Sequence, residues 1–171
     1  MVKTMKLRDA NVYVNSTSTH GQSTEITLPE IIPSKSEYKA LGMVGVRKFF
    51  TGFDAMECSI KWNSPENEVA IACSNPLKVV SLMIRAQRDV YEGGNLESQQ
   101  PVVFYVKGTP ANVPLGTLKP KEDTETETKL DLTYIKWVQN GEEILELDID
   151  NNIFVVGGED LLATYRENLG I

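Results

Sequence analysis

Four oxygen-bearing side chains near the C-terminus have the spacing of calcium ligands. They occupy positions one, three, five and twelve of a calcium-binding loop: Asp148, Asp150, Asn152 and Glu159. The sixth position, however, is Ile153, where such a loop needs glycine for its sharp turn. The residues before Asp148 also alternate as in a strand, whereas a calcium loop follows a helix. We therefore do not predict a calcium site.

The residues that could catalyse a reaction are isolated from one another. His20 is the single histidine and lies among serines and threonines, whereas an activated nucleophile needs a base that a third group holds in place. The carboxylates of residues 122–127 and 142–143 are typical of solvated faces. No glycine-rich loop precedes a helix as in a phosphate site. We expect no enzymatic activity, no cofactor and no metal site.

The two cysteines, Cys58 and Cys73, lack the paired spacing of a zinc site. The N-terminal residues contain charges and no continuous apolar run, so we expect no signal peptide or membrane span and predict folding in a cytosol. Cys58 lies on the apolar side of an alternating stretch, and Cys73 is predicted to end a short helix with Ser64 as N-cap and Pro65 at its first position. Both are expected to be free, buried thiols.

The length and charge of the chain limit its class. With 171 residues, of which 41% are hydrophobic, residues 1–171 are predicted to form one domain with its own core. The chain has 17 basic and 24 acidic residues and a net charge of −7. This charge opposes non-specific binding to a phosphate backbone.

The elements that would position these side chains are mostly strands. Alternating or apolar runs predict strands at 11–15, 23–29, 55–62, 79–91, 102–107 and 145–150. The polar stretch 16–21 is interpreted as the loop of a hairpin between the first two. After Gly158, the sequence predicts a terminal helix with Glu159 and Asp160 at its start and Gly170 as its C-cap, docked by one apolar face.

Asn140-Gly141 predicts a type I′ hairpin turn. A two-residue loop would place Trp137 opposite Ile144, Tyr134 opposite Leu147, and Leu132 opposite Ile149. The dry face would then hold both of these last two pairs: Leu132, Tyr134, Leu147 and Ile149. The wet face, which could be a polar lumen or an exposed sheet face, would hold Asp131, Thr133, Glu146 and Asp148.

Residues 32–52 have no regular hydrophobic period, contain three glycines and include the basic aromatic run Arg47-Lys48-Phe49-Phe50. A long irregular segment in a compact domain is usually functional or interface-forming. We predict that it forms contacts between subunits or rings through Tyr38, Leu41, Met43, Arg47, Lys48, Phe49 and Phe50.

Several ordered motifs lie at residues 11–14, 25–29, 37–43, 52–57 and 148–171. Together they resemble the major tail tube proteins of contractile-tailed bacteriophages, and they are also similar to the tubes of R-type bacteriocins such as pyocins. The resemblance implies a mainly β protomer, an antiparallel β-sandwich or half-barrel with a flanking short helix and a C-terminal helix. It further implies that protomers join into hexameric rings, which stack into a hollow tube inside a sheath.

The same resemblance implies the partners and the location of the protein. The partners would be further copies of the chain, the tail sheath protein, baseplate and tail terminator proteins, and a tape measure protein in the lumen. DNA would pass through without specific binding. The protein would be part of the virion tail, after assembly in the host cytoplasm.

Two alternatives to a phage tail tube remain open from the sequence. One is a tube subunit of an R-type bacteriocin or a related injection or secretion machine. The other is a monomeric β-domain that binds a ligand. Stacked rings would distinguish both tube hypotheses from the monomeric one, and neighbouring capsid genes would distinguish a phage from a bacteriocin.

Overall fold

The computed structural model describes residues 2–171. Within these residues, short helices flank a mainly β structure. The strands are β1 (Lys3–Val14), β2 (Thr17–Ser18), β3 (Ser23–Thr27), β4 (Pro33–Tyr38), β5 (Arg47–Phe53), β6 (Met56–Trp62), β7 (Val80–Glu92), β8 (Asn95–Pro110), β9 (Thr126–Gln139), β10 (Glu142–Asp148), β11 (Ile153–Val156) and β12 (Glu159–Asp160). The helices are α1 (Asn67–Ala72) and α2 (Ala163–Leu169).

Ten of the strands form one antiparallel sheet. Its main path is β12-β11-β10-β9-β8-β7-β1-β2, and β6 joins it by pairing with both β9 and β3. The first half of β9 pairs with β6 and the second half with β10, while the other edge of β9 pairs with β8. Strands β4 and β5 form a separate two-stranded sheet.

The core lies against one face of the large sheet, and α1 packs on it. The alternating apolar side chains of β6 are at most 2% exposed: Met56, Cys58, Ile60 and Trp62. This confirms the predicted dry side of that strand. Val80, Leu82 and Ile84 repeat the pattern on β7, as the sequence predicts. The indole nitrogen of Trp62 donates a hydrogen bond of 3.1 Å to Oγ1 of Thr128, which satisfies the one polar atom of this side chain.

Both cysteines are free and buried, as predicted. Burial raises the pKa of the Cys58 thiol to about 12 and that of Cys73 to about 11. At neutral pH both therefore stay protonated and unreactive. Cys73 follows the last residue of α1, as predicted, but α1 begins at Asn67 after the N-cap Glu66, so the predicted start at Ser64 and Pro65 is wrong.

The first predicted hairpin is also wrong. Strand β1 turns back at once into β2 and pairs along its length with β7, whereas β3 pairs with β6. The turn is tighter than predicted because Asn15 and Ser16 both adopt positive φ, at 46° and 73°, as a two-residue type I′ turn requires. The stretch assigned to one loop therefore contains a turn, a short strand and a second turn.

The turn at Asn140 and Gly141 is confirmed, since both residues have positive φ and connect β9 to β10. Its register, however, differs from the prediction by one residue. A β-bulge between Glu143 and Leu145 places Trp137 opposite Leu145, Ile135 opposite Leu147, and Tyr134 opposite Asp148. An extra residue on one strand shifts all later pairs.

A second irregularity explains why Tyr134 does not lie on the dry face. The pairing of β8 with β9 shifts at Gly108, so that Thr133 is the extra residue and alternation reverses beyond it. Leu132 and Ile135 are both buried, at 6% and 5% exposure. The strands approach closely here, since a Cβ at Gly108 would lie 2.8 Å from the carbonyl carbon of Asp131. Of the predicted dry face, Leu132 and Leu147 are buried, whereas Ile149 lies outside β10 and is 39% exposed.

The C-terminal segment differs from its predicted form in two ways. Glu159 and Asp160 form β12 instead of the first turn of the helix, which begins at Ala163. The apolar side of α2 is not docked, because Tyr165 and Leu169 are 51% and 55% exposed. The predicted cap is confirmed: Gly170 has a φ of 72°, and the backbone N–H groups of Gly170 and Ile171 donate to Glu167 and Arg166.

Candidate assembly surfaces

Strands β4 and β5 form a hairpin that we call the arm, residues 33–53. Within residues 2–171 its two strands pair only with each other, from Pro33 opposite Phe53 to Tyr38 opposite Arg47. A two-stranded hairpin by itself is only marginally stable in water. The arm was not predicted as strands because neither face is buried, and an exposed hairpin has no dry side to impose an alternating pattern.

All seven residues that the sequence predicts as an interface lie on the arm. Tyr38 contacts Phe49 edge to face, with 6.0 Å between ring centroids, and the Arg47 guanidinium lies 4.8 Å from the Phe49 centroid. The tip, by contrast, contacts little: Leu41 and Val44 are fully exposed. Exposed apolar residues continue along the arm at Met43, Val46 and Phe50. A patch of this kind marks an interaction site.

The base of the arm is fixed to the body. The Phe53 ring lies 5.2 Å from Phe50 and 4.8 Å from Phe154 of β11, in edge-to-face contacts. The backbone N–H of Asp54 donates to the carbonyl of Ile32 at 2.9 Å, and Ser34 donates to the Asp54 carboxylate. The row of three aromatic rings therefore sets the direction in which the arm projects.

A cleft of about 360 Å³ lies between the base of the arm and the C-terminal residues. Phe50 and Phe53 form one wall, and Leu147, Ile149, Leu162 and Tyr165 are among the residues of the other. This volume is within the range of pockets that bind ligands, roughly 300–1,000 Å³. Because its lining is mainly apolar, the cleft suits an aliphatic or aromatic side chain.

Polar contacts hold the C-terminal wall of this cleft. Arg166 pairs with the Asp160 carboxylate and also donates to the carbonyl oxygen of Asn152 at 2.8 Å. The hydrogen bond from Arg166 holds the pKa of Asp160 below its usual range. The segment that carries α2 is thus fixed through one arginine, while its apolar side chains stay accessible.

Of the four residues predicted to share a wet face, all but Thr133 lie on the face away from the core. Glu146 and Asp148 lie on the non-core face of β10, where Glu146 accepts a 3.0 Å hydrogen bond from the Tyr134 hydroxyl. Burial raises the pKa of Tyr134, and the hydrogen bond to Glu146 adds to this. Asp131 is exposed on β9, whereas Thr133 is the bulged residue.

This non-core face is mixed in charge. Lys136 pairs with Glu143 at 3.4 Å, and the Lys107 ammonium lies 5.0 Å from the Tyr134 ring centroid. On this face of β9 and β10, five carboxylates accompany two lysines: Glu127, Asp131, Glu143, Glu146 and Asp148 with Lys129 and Lys136. Further along the sheet, Lys107 on β8 and Arg85 on β7 add positive charge.

Sequence reasoning missed a buried carboxylate on β7. Asp89 is fully buried and accepts hydrogen bonds from Gln87 at 2.8 Å, Gln99 at 3.1 Å and Arg8 at 2.9 Å. The hydrogen bond from Gln87 and those from Arg8 and Gln99 hold the pKa of Asp89 below its usual range, against the effect of burial. Only the register of three strands brings these residues together, so no local pattern could have identified them.

His20 and the carboxylates with calcium-ligand spacing do not form a chemical site. His20 is exposed in a turn, and the Asp148 carboxylate accepts bonds from the backbone and side-chain nitrogens of Asn151 at 3.1 and 2.7 Å. Asp148 therefore closes the turn after β10. Among residues 2–171, no cluster of three or more His, Cys, Asp or Glu side chains could hold a metal ion. No helix in this part of the chain is long and apolar enough to cross a membrane.

Comparison with known families gives these surfaces a context. A sequence model of the family described as phage tail tube protein FII matches residues 4–170. The chain belongs to the phage tail tube protein family. It is also 26% identical to the tail tube protein of Escherichia phage P2 over 175 residues, covering all of both chains. It is 24% identical to the major tail tube protein of Serratia phage KSP20 over 158 residues, covering 91% of this chain and 90% of the relative.

Membership in the family establishes the class of function. The chain is a structural subunit of a phage tail tube, and it is not an enzyme. A tail tube subunit acts by associating with further tail proteins, so the exposed arm and the edges of the sheet are the surfaces of interest.

Proposed function

We propose that this protein builds the inner tube of a contractile phage tail, by joining into hexameric rings that stack around a conduit for DNA. In this proposal residues 1–171 act as one tail-tube domain, and the sheet curves as a half-barrel. The observation that carries the proposal is the arm, which exposes a row of apolar and aromatic side chains. Monomeric proteins rarely expose such a patch unless it binds a partner. The predicted interface residues are all on this arm.

The large sheet supports ring closure through its edges. One edge of β1 pairs along its length with β7, and the other edge pairs with β2 only at Tyr13 and Val14. Within the described chain, the rest of that second edge is therefore open. Open edges promote uncontrolled pairing, and closing strands of neighbouring subunits into one barrel removes them. Such a contact is head to tail, which generates rings when the rotation closes.

The charges at the two ends of the sheet suit that contact. The β1 end carries Lys3, Lys6 and Arg8 against one carboxylate, Asp9, and Lys3 and Arg8 already pair with Glu97 and Asp89. The charged side chains on the strands of the opposite end are all acidic: Glu142, Glu143, Glu146, Asp148, Glu159 and Asp160. Complementary potentials fix register and favour the correct orientation of partners. A basic end of one copy would thus face an acidic end of the next.

We further propose the partners that a tube in a contractile tail requires. These are the sheath around the tube, the baseplate and tail terminator proteins at its ends, and a tape measure protein within the lumen. The subunit would be made in the host cytoplasm and end in the virion tail. A related R-type bacteriocin tube is the second candidate, because the same motifs resemble both; neighbouring capsid genes would favour the phage.

Electron microscopy of concentrated, purified protein tests the proposal. We expect hollow tubes of stacked rings with sixfold symmetry in end views, formed alone or after adding sheared tails as seeds. A folded protein that stays monomeric under both conditions would contradict the proposed assembly. Rings of another symmetry would support the proposed tube but contradict its hexameric rings.

A further inference from the structure

The cleft at the base of the arm and the exposed tip of the arm have matching properties. The cleft is apolar and open, and the tip presents Leu41 and Val44 with no contacts to cover them. We propose that the tip of the arm of one copy inserts into this cleft of a second copy of the chain. This inference rests on the proposed tube and names the surface that receives the arm.

The cleft cannot receive the tip of its own arm. Phe50, Gly52 and Phe53 form part of its wall, and about six residues of extended strand separate them from the tip, which is roughly 20 Å at about 3.3 Å per residue. The base of the arm is also held by the Phe53 and Phe154 contact. The occupant must therefore come from another molecule.

Charge favours the same pair of surfaces. The arm, residues 33–53, carries four basic side chains and one acidic one, whereas residues 142–171 carry eight carboxylates and one arginine. The single arginine, Arg166, already pairs with Asp160. The segment that borders the cleft is therefore net negative, with Asp148 in the lining itself, and oppositely charged surfaces attract and orient each other.

The exposed side of α2 supplies a further reason. Its apolar residues Tyr165 and Leu169 stay half exposed although the helix is fixed in place by Arg166 and its glycine cap. Tyr165 lines the cleft, so a tip inserted there would cover part of this surface. Burying the Leu41 or Val44 side chain there removes apolar surface from water, which favours the contact.

The contact can repeat from one copy to the next because it joins two different surfaces, the tip of the arm and the cleft. Each copy has one arm and one cleft, so each could bind one partner through the arm and another through the cleft. A head-to-tail contact of this kind builds rings or filaments instead of stopping at a dimer. It is therefore compatible with an open-ended tube.

Cysteine cross-linking in assembled tubes tests the contact. We would mix two variants, Leu41→Cys and Tyr165→Cys, assemble them together and treat the tubes with an oxidant or a short flexible bis-maleimide. Docking brings the two thiols to an effective concentration in the millimolar range, so we expect covalent dimers at about tenfold the yield of a control pair. In the control, Leu118→Cys replaces Leu41→Cys, because Leu118 is 85% exposed but lies outside the arm.

The outcomes separate this inference from the proposed function. Tubes with dimers well above the control support the docking, and the double variant Leu41→Cys/Tyr165→Cys should then give a ladder of longer covalent chains. Normal tubes with no more dimer than the control would overturn the docking while leaving the tube intact. If the unmodified protein forms no tubes even with seeds, the proposed function itself fails.

Discussion

At the scale of single residues, the hairpin of β9 and β10 shows how burial decides the effect of a change. Leu147 lies opposite Ile135 and is 1% exposed, whereas Glu146 on the other face accepts a hydrogen bond from the Tyr134 hydroxyl. Leu147 therefore faces the apolar core, whereas Glu146 faces away from it. A charge is costly at the first position and ordinary at the second.

We expect Leu147→Asp to destabilise the protein by about 4 kcal/mol or more, since it removes a core side chain and buries an unpaired charge. A marginally stable domain would then be largely unfolded. The matched control is Glu146→Gln, which keeps an acceptor for Tyr134. Denaturant titration of both variants measures the difference, and equal stabilities would show that the register of this hairpin is wrong.

The buried carboxylate of Asp89 predicts a dependence on pH. Its folded-state pKa is depressed by Gln87, Arg8 and Gln99, so its contribution to stability is present above the unfolded pKa of about 3.9 and is lost as pH falls through the lower folded value. We expect Asp89→Asn to lower Tm by a few degrees at pH 7, because the neutral amide binds Arg8 less strongly.

Thermal melts at several pH values measure this effect. The gap in Tm between the native chain and Asp89→Asn should close as pH falls below about 3.9. Asp131→Asn is the control, since Asp131 is exposed on β9, and its melts should follow those of the native chain. A gap of constant size at all pH values would exclude the ionised carboxylate as the cause.

At the scale of elements, the arm and the body have separate tasks. The arm buries few of its side chains and pairs with no strand of the large sheet in the described chain. The core that stabilises the body contains none of the residues at the arm's tip. Changes on the arm should therefore affect assembly much more than folding.

We expect Phe49→Ser/Phe50→Ser to give a folded monomer that no longer forms tubes. The two rings are 43% and 51% exposed, so the loss of stability should be small, roughly 1 kcal/mol. Sedimentation and electron microscopy report assembly, and circular dichroism reports the fold. Leu118→Ser, an exposed apolar change outside the arm, should assemble normally. Normal tubes from the double variant would show that the arm is not the joint.

At the scale of the whole molecule, the net charge of −7 bears on a conduit for a polyanion. If the non-core face of β9 and β10 lines the channel, five carboxylates and two lysines of each copy face the lumen. A positive lining would hold DNA through counterion release. The lysines and Arg85 on neighbouring strands weaken this negative potential without cancelling it on β9 and β10.

We expect assembled tubes to bind duplex DNA weakly, with little change between low and moderate salt. The reason is that few phosphates would be neutralised, so that few counterions would be released. Binding assays at two salt concentrations test this, together with a map of the lumen potential from a tube structure. Tight, salt-sensitive binding by a positive lumen would disprove the idea and leave the structural role unchanged.

Several features of the fold are encoded in short stretches of the sequence. Alternation predicted β6 and β7 to within one residue at either end, and Asn140-Gly141 and Gly170 marked a turn and a helix cap because each supplies the positive φ that those positions need. The burial of both cysteines followed from their places in such stretches. The ordered motifs near both ends also sufficed to indicate the family.

The pairing of the strands and the direction of their side chains depend instead on contacts between distant parts of the chain. The bulges at Ile144 and Thr133 each add one residue, and a shift of one residue moves every later side chain to the opposite face. The partners of β1 and β3, and the cluster around Asp89, depend on contacts between residues far apart in the chain. The two strands of the arm were not predicted for a related reason. Polar and apolar residues alternate along a strand when one of its faces is buried, and neither face of the arm is buried.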